Sequence, residues 1–307
     1  MGKMRKFENP LITSDGKERA SVVLTGLKTL WINTGSLCNL ACENCYIESS
    51  PKNDQLSFIS TAEIDDIFHE VQDTNIDLEM VGLTGGEPFI NPDIVTILYS
   101  ILSKGYNTLI LTNGTHVLSK YRESLLDLNA KYANKLNLRI SIDHYQEEVH
   151  DRERGEGSFK KTMKQVKWLS QEGFEISIAS RSLKNETKID SLKGHNDMLI
   201  SHGVEIDIDD KLIIFPEMTR DNNTPEISKE CWKALNKKPT ELMCASQRMI
   251  VKRKGDSKPV VMPCTLLAYD EGFILGDSLE SASKRVFLNH PFCSQFCVLG
   301  GSNCISL

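Results

Sequence analysis

Three cysteines define the chemistry open to this sequence. Cys38, Cys42 and Cys45 stand in the run Gly35-Ser-Leu-Cys-Asn-Leu-Ala-Cys-Glu-Asn-Cys-Tyr46, with three residues between the first pair and two between the second. Three thiolates that close together can ligate three irons of a cubane iron–sulfur cluster and leave the fourth iron open to a small molecule. A structural zinc site wants four ligands, often as paired C-x-x-C units, and this loop offers three with no histidine nearby. A set of unrelated buried thiols is the other alternative.

Further candidates follow at intervals along the chain. In Gly85-Gly86-Glu87-Pro88 the glycines permit a close backbone approach, Glu87 can accept hydrogen bonds from an ammonium group, and Pro88 stiffens the turn. An ordinary glycine turn is the plain alternative. Asn113, in Thr112-Asn113-Gly114, suits either a ligand contact or a turn cap. Arg181 offers a bidentate guanidinium for a carboxylate, or a surface salt bridge. Six of the nine cysteines lie after residue 216: Cys231, Cys244, Cys264, Cys293, Cys297 and Cys304. The nineteen residues between Cys244 and Cys264 read as a hairpin. Four thiolates of this kind suit zinc as well as iron–sulfur, and Cys231 alone reads as a small buried hydrophobe.

These residues must be placed by elements, and the apolar pattern supplies them. Short β-forming runs at 27–33, 78–83, 107–112, 137–142, 174–179 and 211–215 predict buried parallel strands. Between them, 61–74, 93–104, 119–133, 158–172 and 190–202 predict helices. In the first of these Ile64, Ile67, Phe68 and Val71 share a face, with Ser60 or Thr61 as cap. Gly105 and Gly173 mark helix ends. Six β/α repeats in a row predict an α/β fold with a parallel sheet, short of a closed eightfold barrel. The site then belongs at the C-terminal ends of the strands. The division expected is an arm over 1–26, a core over 27–216, and a small cysteine-rich α+β unit over 217–307, with short strands at 248–252 and 260–262.

The cysteine loop, its following Tyr46, and Gly85-Gly86-Glu87-Pro88 resemble the radical SAM superfamily over about residues 27–215. The resemblance implies a partial (β/α)6 barrel in which Cys38, Cys42 and Cys45 hold a four-iron four-sulfur cluster. It implies that S-adenosylmethionine chelates the open iron. One electron then cleaves it to a 5′-deoxyadenosyl radical, which takes a hydrogen atom from the substrate. Tyr46, Gly85, Gly86, Glu87, Asn113, Ser141, Asp143 and Arg181 are thereby expected around that cofactor, Glu87 on its ammonium and Arg181 on its carboxylate. Ser141 and Asp143 are expected toward the ribose. Related enzymes carry serine–x–aspartate, then histidine-aspartate and arginine-glycine, as do Ser141, Asp143, His150-Asp151 and Arg154-Gly155 here. His144 stands where a glycine is usual, which puts an imidazole either in the substrate space or on a loop, the loop being the favoured reading. The C-terminal cysteines resemble a SPASM or twitch domain, with Cys244, Cys264, Cys293 and Cys297 as ligands of one auxiliary 4Fe-4S cluster. The family more often has two residues between the last pair, so Cys304 is an alternative ligand. Cys231 and Cys304 are candidate hydrogen-atom donors. An electron donor such as flavodoxin or ferredoxin is implied.

Composition narrows the reading. The 307 residues are 40% hydrophobic and 25% charged, with a net charge of −6. A nucleic-acid partner has no support from that balance. The N-terminus lacks a secretory pattern, and no apolar stretch approaches ~20 residues. A cytoplasmic, reducing setting is expected, with cysteines as ligands rather than disulfides. The reaction expected is oxidation or epimerisation, a rearrangement being the further possibility. The substrate expected is small, such as a sugar, aminocyclitol or cofactor precursor, because the arm is too short for the peptide-binding domain of many peptide-modifying relatives. A peptide or protein maturase is the alternative, and a non-catalytic iron–sulfur or zinc protein the alternative from another class.

Overall fold

The computed structural model describes residues 4–132, 134–182, 186–219 and 223–305. A short strand β1 (Ser21–Val22) ends the N-terminal arm. The alternation then runs β2 (Thr29–Asn33), α1 (Thr61–Asp73), β3 (Met80–Thr84), α2 (Ile94–Ser103), β4 (Asn107–Thr112), α3 (Arg122–Lys131) and β5 (Leu136–Ser141). It continues with α4 (Glu147–Arg154), α5 (Ser158–Gln171), β6 (Glu175–Arg181), α6 (Lys188–Ser201), α7 (Ile208–Lys211) and β7 (Leu212–Phe215). Beyond lie α8 (Glu230–Ala234), β8 (Gln247–Val251), β9 (Val260–Met262), β10 (Val286–Phe287) and a π-helical turn, Cys293–Leu299. Each of the six core strands falls within two residues of its expected bounds.

Local chemistry explains the helix ends. Ser60 and Glu63 form a reciprocal capping box at the start of α1, and Ile64, Ile67, Phe68 and Val71 are its buried face. Gly105 and Gly173 follow α2 and α5 at φ of 90° and 70°, conformations an L side chain adopts only with strain. The helix α4 has low apolar content, and no periodicity announced it. Its last residue, Arg154, turns out to matter.

The main sheet has eight strands in the order β7-β6-β5-β4-β3-β2-β8-β9. Strands β2 to β7 are parallel, each beside the next, as six β/α units require. The sheet then runs on into the C-terminal stretch. There β8 lies parallel beside β2, and β9 returns antiparallel as the expected hairpin. Trp31 of β2 is fully buried and donates from Nε1 to Gln247 Oε1 at 2.9 Å, joining β2 to β8. A Cβ on Gly82 would lie 2.2 Å from the Trp31 ring, so only glycine lets β3 pass it.

The arm is also bound to the C-terminal stretch. Ser21 pairs with Phe287, and the buried guanidinium of Arg19 meets Glu226 at 2.6 Å. Because the core strands are parallel, the loops after β2, β3, β4, β5, β6 and β7 all leave from one edge of the sheet. That edge carries the cysteine loop.

Candidate active site

The loop after β2 is folded back on itself by several backbone hydrogen bonds. Cys38 N donates to Ser50 O at 3.1 Å, and Ser36 N to Leu56 O at 3.0 Å. The loop after β3 is pressed against it. Gly86 N donates to Gly35 O at 2.8 Å and Glu87 N to Leu37 O at 3.0 Å. A Cβ on Gly86 would lie 2.0 Å from Leu37 O, and one on Gly85 2.5 Å from Gly35 O. The two glycines therefore serve the packing of one loop on the other, as well as the cavity they line.

A cavity of about 130 Å³ opens over these loops. Cys38, Cys42 and Cys45 line it together with Tyr46, Gly85, Gly86, Asn113, Ser141, Asp143 and Arg181, so most of the expected set converges at one place. Burial pushes the Cys38 thiol up to about 12 against the opposing Leu40 N–H, and burial also raises Cys42 against the nearby Arg154 guanidinium. Such thiols become thiolates only when a positive centre replaces the proton. Among the described residues no three histidine, cysteine, aspartate or glutamate side chains stand close enough to hold one metal ion. Three thiols lining one cavity with no fourth cysteine in its wall are a donor set that fits a cubane cluster with one open iron better than a four-thiolate zinc site.

Glu87 makes its hydrogen bonds within the protein. It is buried and does not line the cavity. Its oxygens accept from Thr112 Oγ1 at 2.7 Å, Asn113 N at 2.8 Å and Phe89 N at 3.2 Å. Burial raises its pKa despite those three donors. His144 is a neighbour of the site and not part of its wall. Its ring stacks on Tyr145 at 4.2 Å and its Nε2 faces Glu186 at 3.5 Å.

Arg154 is the principal residue the sequence left without a role, although Arg154-Gly155 stood out as a pair. It lines the cavity and grips Asp143 with two hydrogen bonds, 2.8 and 2.9 Å, while Arg181 Nε lies 3.3 Å away. Burial alone would raise Asp143, but the two guanidiniums outweigh it and hold the carboxyl below its usual value. Removing one partner of a buried pair costs about 3–5 kcal/mol. Arg181 also donates to Asn44 O at 2.8 Å, and Glu153 O accepts from Glu43 N at 2.9 Å. The cysteine loop is thereby fastened to the end of α4. Asp151, the aspartate of the histidine-aspartate pair, caps α5 by accepting from Gly157 N, Ser158 Oγ and Phe159 N.

His150 lies fully buried behind this network, with its pKa lowered to about 4, mainly by burial and then by Arg154. An unfolded histidine takes a proton near pH ~6.5, whereas the folded one refuses it until about 4. The unfolded state therefore binds more protons in that window, and stability falls as pH drops through it, at ~1.4 kcal/mol per pH unit. Urea titrations at stepped pH should show this slope in the wild type and a flatter one in His150→Leu.

In the C-terminal stretch Cys244, Cys264, Cys293 and Cys297 line a second, apolar cavity. Cys244 precedes β8, Cys264 follows β9, and the last two lie four residues apart in the π-helical turn. That geometry accommodates the three-residue gap, since positions i and i+4 of a helix share a face. Burial raises all four thiols, Cys244 to about 11 and Cys293 to about 12. Cys304 does not line this cavity; its Sγ sits 3.3 Å from Thr265 Oγ1. Cys231 lies on α8 beside Ser228, away from both cavities.

Residues 32–190 match the family described as the radical SAM superfamily. The Bacillus subtilis (strain 168) antilisterial bacteriocin subtilosin biosynthesis protein AlbA is 37% identical over 145 residues, 46% of this chain and 30% of that protein. The mycofactocin maturase MftC of Mycolicibacterium smegmatis is 29% identical over 137 residues, 45% of this chain and 33% of its own length. The match thus spans about a third of each curated relative. Among solved structures, Streptococcus suis SuiB bound to S-adenosylmethionine superposes with a TM-score of 0.60 at 15% identity, covering 85% of this chain and 67% of SuiB. That likeness is one of fold. Among the described residues no helix is long and apolar enough to cross a membrane.

Proposed function

The chain belongs to the radical SAM superfamily, and from that premise we propose that it oxidatively modifies a peptide. The single observation that carries the substrate class is the 37% identity to a bacteriocin biosynthesis protein, supported by the similarity to a maturase. A small-molecule substrate, the expectation drawn from the short arm, is the lesser reading beside these relatives. The space at the site agrees with a peptide. A cleft of about 570 Å³ adjoins the cofactor cavity, shares Cys45, Tyr46, Asp143, Arg181 and Phe215 with it, and continues past Met218 and Phe292.

Cys38, Cys42 and Cys45 would hold the first cluster, and Tyr46, Gly85, Gly86, Asn113, Ser141, Asp143 and Arg181 would frame S-adenosylmethionine. Bound there, the pair supplies a 5′-deoxyadenosyl radical able to abstract a hydrogen atom. The chain's own part is to hold and shield. Arg154 and Asp143 fix one wall, Arg181 ties it to the cysteine loop, and the ring of Tyr46 lies under Arg181 at 5.9 Å. Cys244, Cys264, Cys293 and Cys297 would hold an auxiliary cluster, which supplies an acceptor for the second electron. Oxidation is favoured over epimerisation because neither candidate donor thiol, Cys231 nor Cys304, lines the cofactor cavity or the cleft. The nine free cysteines suit a reducing, cytoplasmic setting, where a flavodoxin or ferredoxin would deliver the first electron.

The test is anaerobic turnover of the reduced, reconstituted protein with short peptides encoded beside its gene, against a panel of sugars and aminocyclitols. A peptide should lose two hydrogens as 5′-deoxyadenosine accumulates in equal amount. Stoichiometric conversion of a small molecule, with the peptides untouched, would reject the proposal.

A further inference from the structure

The carboxylate of Glu87 anchors a short relay that ends on a cysteine sulfur. Its Oε2 accepts from Asn113 N at 2.8 Å, while Oε1 accepts from Thr112 Oγ1 at 2.7 Å and Phe89 N at 3.2 Å. This fixes the turn that follows β4. The side chain of Asn113 is then oriented by Thr115, whose N and Oγ1 donate to Asn113 Oδ1 at 3.0 and 2.7 Å. A backbone N–H can only donate, so the amide oxygen must face Thr115 and the amide nitrogen must face away. Facing away, Nδ2 donates to Asn39 Oδ1 at 2.9 Å and reaches Cys38 Sγ at 3.7 Å. The same sulfur accepts from Leu40 N at 3.4 Å. Cys38, Asn113 and Glu87 are all buried, so these contacts act in a low dielectric.

We propose that Glu87 and Asn113 form a positioning pair that directs an N–H donor onto the Cys38 sulfur and so raises the reduction potential of the cluster bound there. Hydrogen bonds to ligating sulfurs stabilise the reduced, more negative state, and outer partners of a ligand tune its metal. The carboxylate of Glu87 thus acts through Asn113, from a buried position outside the cavity wall. The inference rests on Cys38 being a cluster ligand. A wild-type protein that takes up no iron would defeat that reading, whereas an unmoved potential in iron-replete variants defeats only this one.

The experiment is an EPR-monitored redox titration of anaerobically reconstituted full-length protein, followed on the signal that S-adenosylmethionine perturbs. Iron content and the Kd for S-adenosylmethionine are measured alongside. In Asn113→Ala the ratio of reduced to oxidised cluster at a fixed potential should fall by roughly fivefold, the effect of one ordinary net hydrogen bond. Glu87→Gln keeps the shape but offers Asn113 and Thr112 one acceptor fewer, so a smaller shift of the same sign is expected, with cofactor affinity held within about twofold. A purely structural role would lower iron content and melting temperature and leave the potential of the remaining cluster unchanged. Should Asn113→Ala fail to hold a cluster, Glu87→Gln decides. An unmoved potential in either iron-replete variant, or a loss of cofactor affinity of roughly tenfold or more in Glu87→Gln with the potential intact, overturns the proposal.

Discussion

Cys42→Ala is expected to end the reductive cleavage of S-adenosylmethionine, with 5′-deoxyadenosine and methionine both falling to the level of a reaction without protein. The loop offers three thiols and the cavity wall holds no fourth cysteine, so losing one leaves two donors for an assembly that needs three. The fold should survive. Cys42 is half-buried in a loop, and the neighbouring Glu43 remains fastened to Glu153 through its backbone. The removed sulfur belongs to no sheet or helix. Circular dichroism and melting temperature should therefore stay close to wild type while turnover vanishes. Cleavage that persists in this variant would mean that the three cysteines do not act together.

Cys264→Ala is expected to remove about half of the iron, from about eight atoms per chain to about four, as two four-iron sites imply. Cofactor cleavage should continue, because Cys264 lies in the apolar cavity beyond β9 and not in the wall formed by the cysteine loop. Under the proposed function, formation of the two-electron oxidised product should stop, since the second electron then lacks an acceptor. Metal analysis separates the possibilities. Zinc in place of the lost iron, or an unchanged iron content, would remove the auxiliary cluster from the account. The buried thiol has a raised pKa in the protein without metal, so assembly at this site should release protons and weaken in acid.

The order of strands and the edge that carries the site were legible because parallel strands buried on both faces read as short apolar runs, and their C-terminal loops share one edge. That Cys38, Cys42, Cys45, Gly85 and Gly86 would meet at one cavity was legible because their spacing is local and each group falls directly after a strand. The relay from Glu87 through Asn113 to Cys38 was not, since it joins three loops that only the fold brings together. Arg154 escaped because α4 has almost no apolar periodicity, and a charged helix end resembles solvent-exposed surface. Its partner Asp143 lies eleven positions away, in the loop after β5. The attachment of β8 beside β2 was hidden as well, because a strand's neighbour is set by long-range pairing and not by its own pattern. The small-molecule expectation rested on arm length, which carries no chemistry, and the similarity to a bacteriocin biosynthesis protein and a maturase weighs toward a peptide instead.

The most direct measurement is EPR of the dithionite-reduced Cys264→Ala protein with and without S-adenosylmethionine. Only the cluster of Cys38, Cys42 and Cys45 should then contribute. The account predicts a clear change in its g-values when the cofactor binds the iron that no cysteine holds. A spectrum identical with and without saturating cofactor would contradict it.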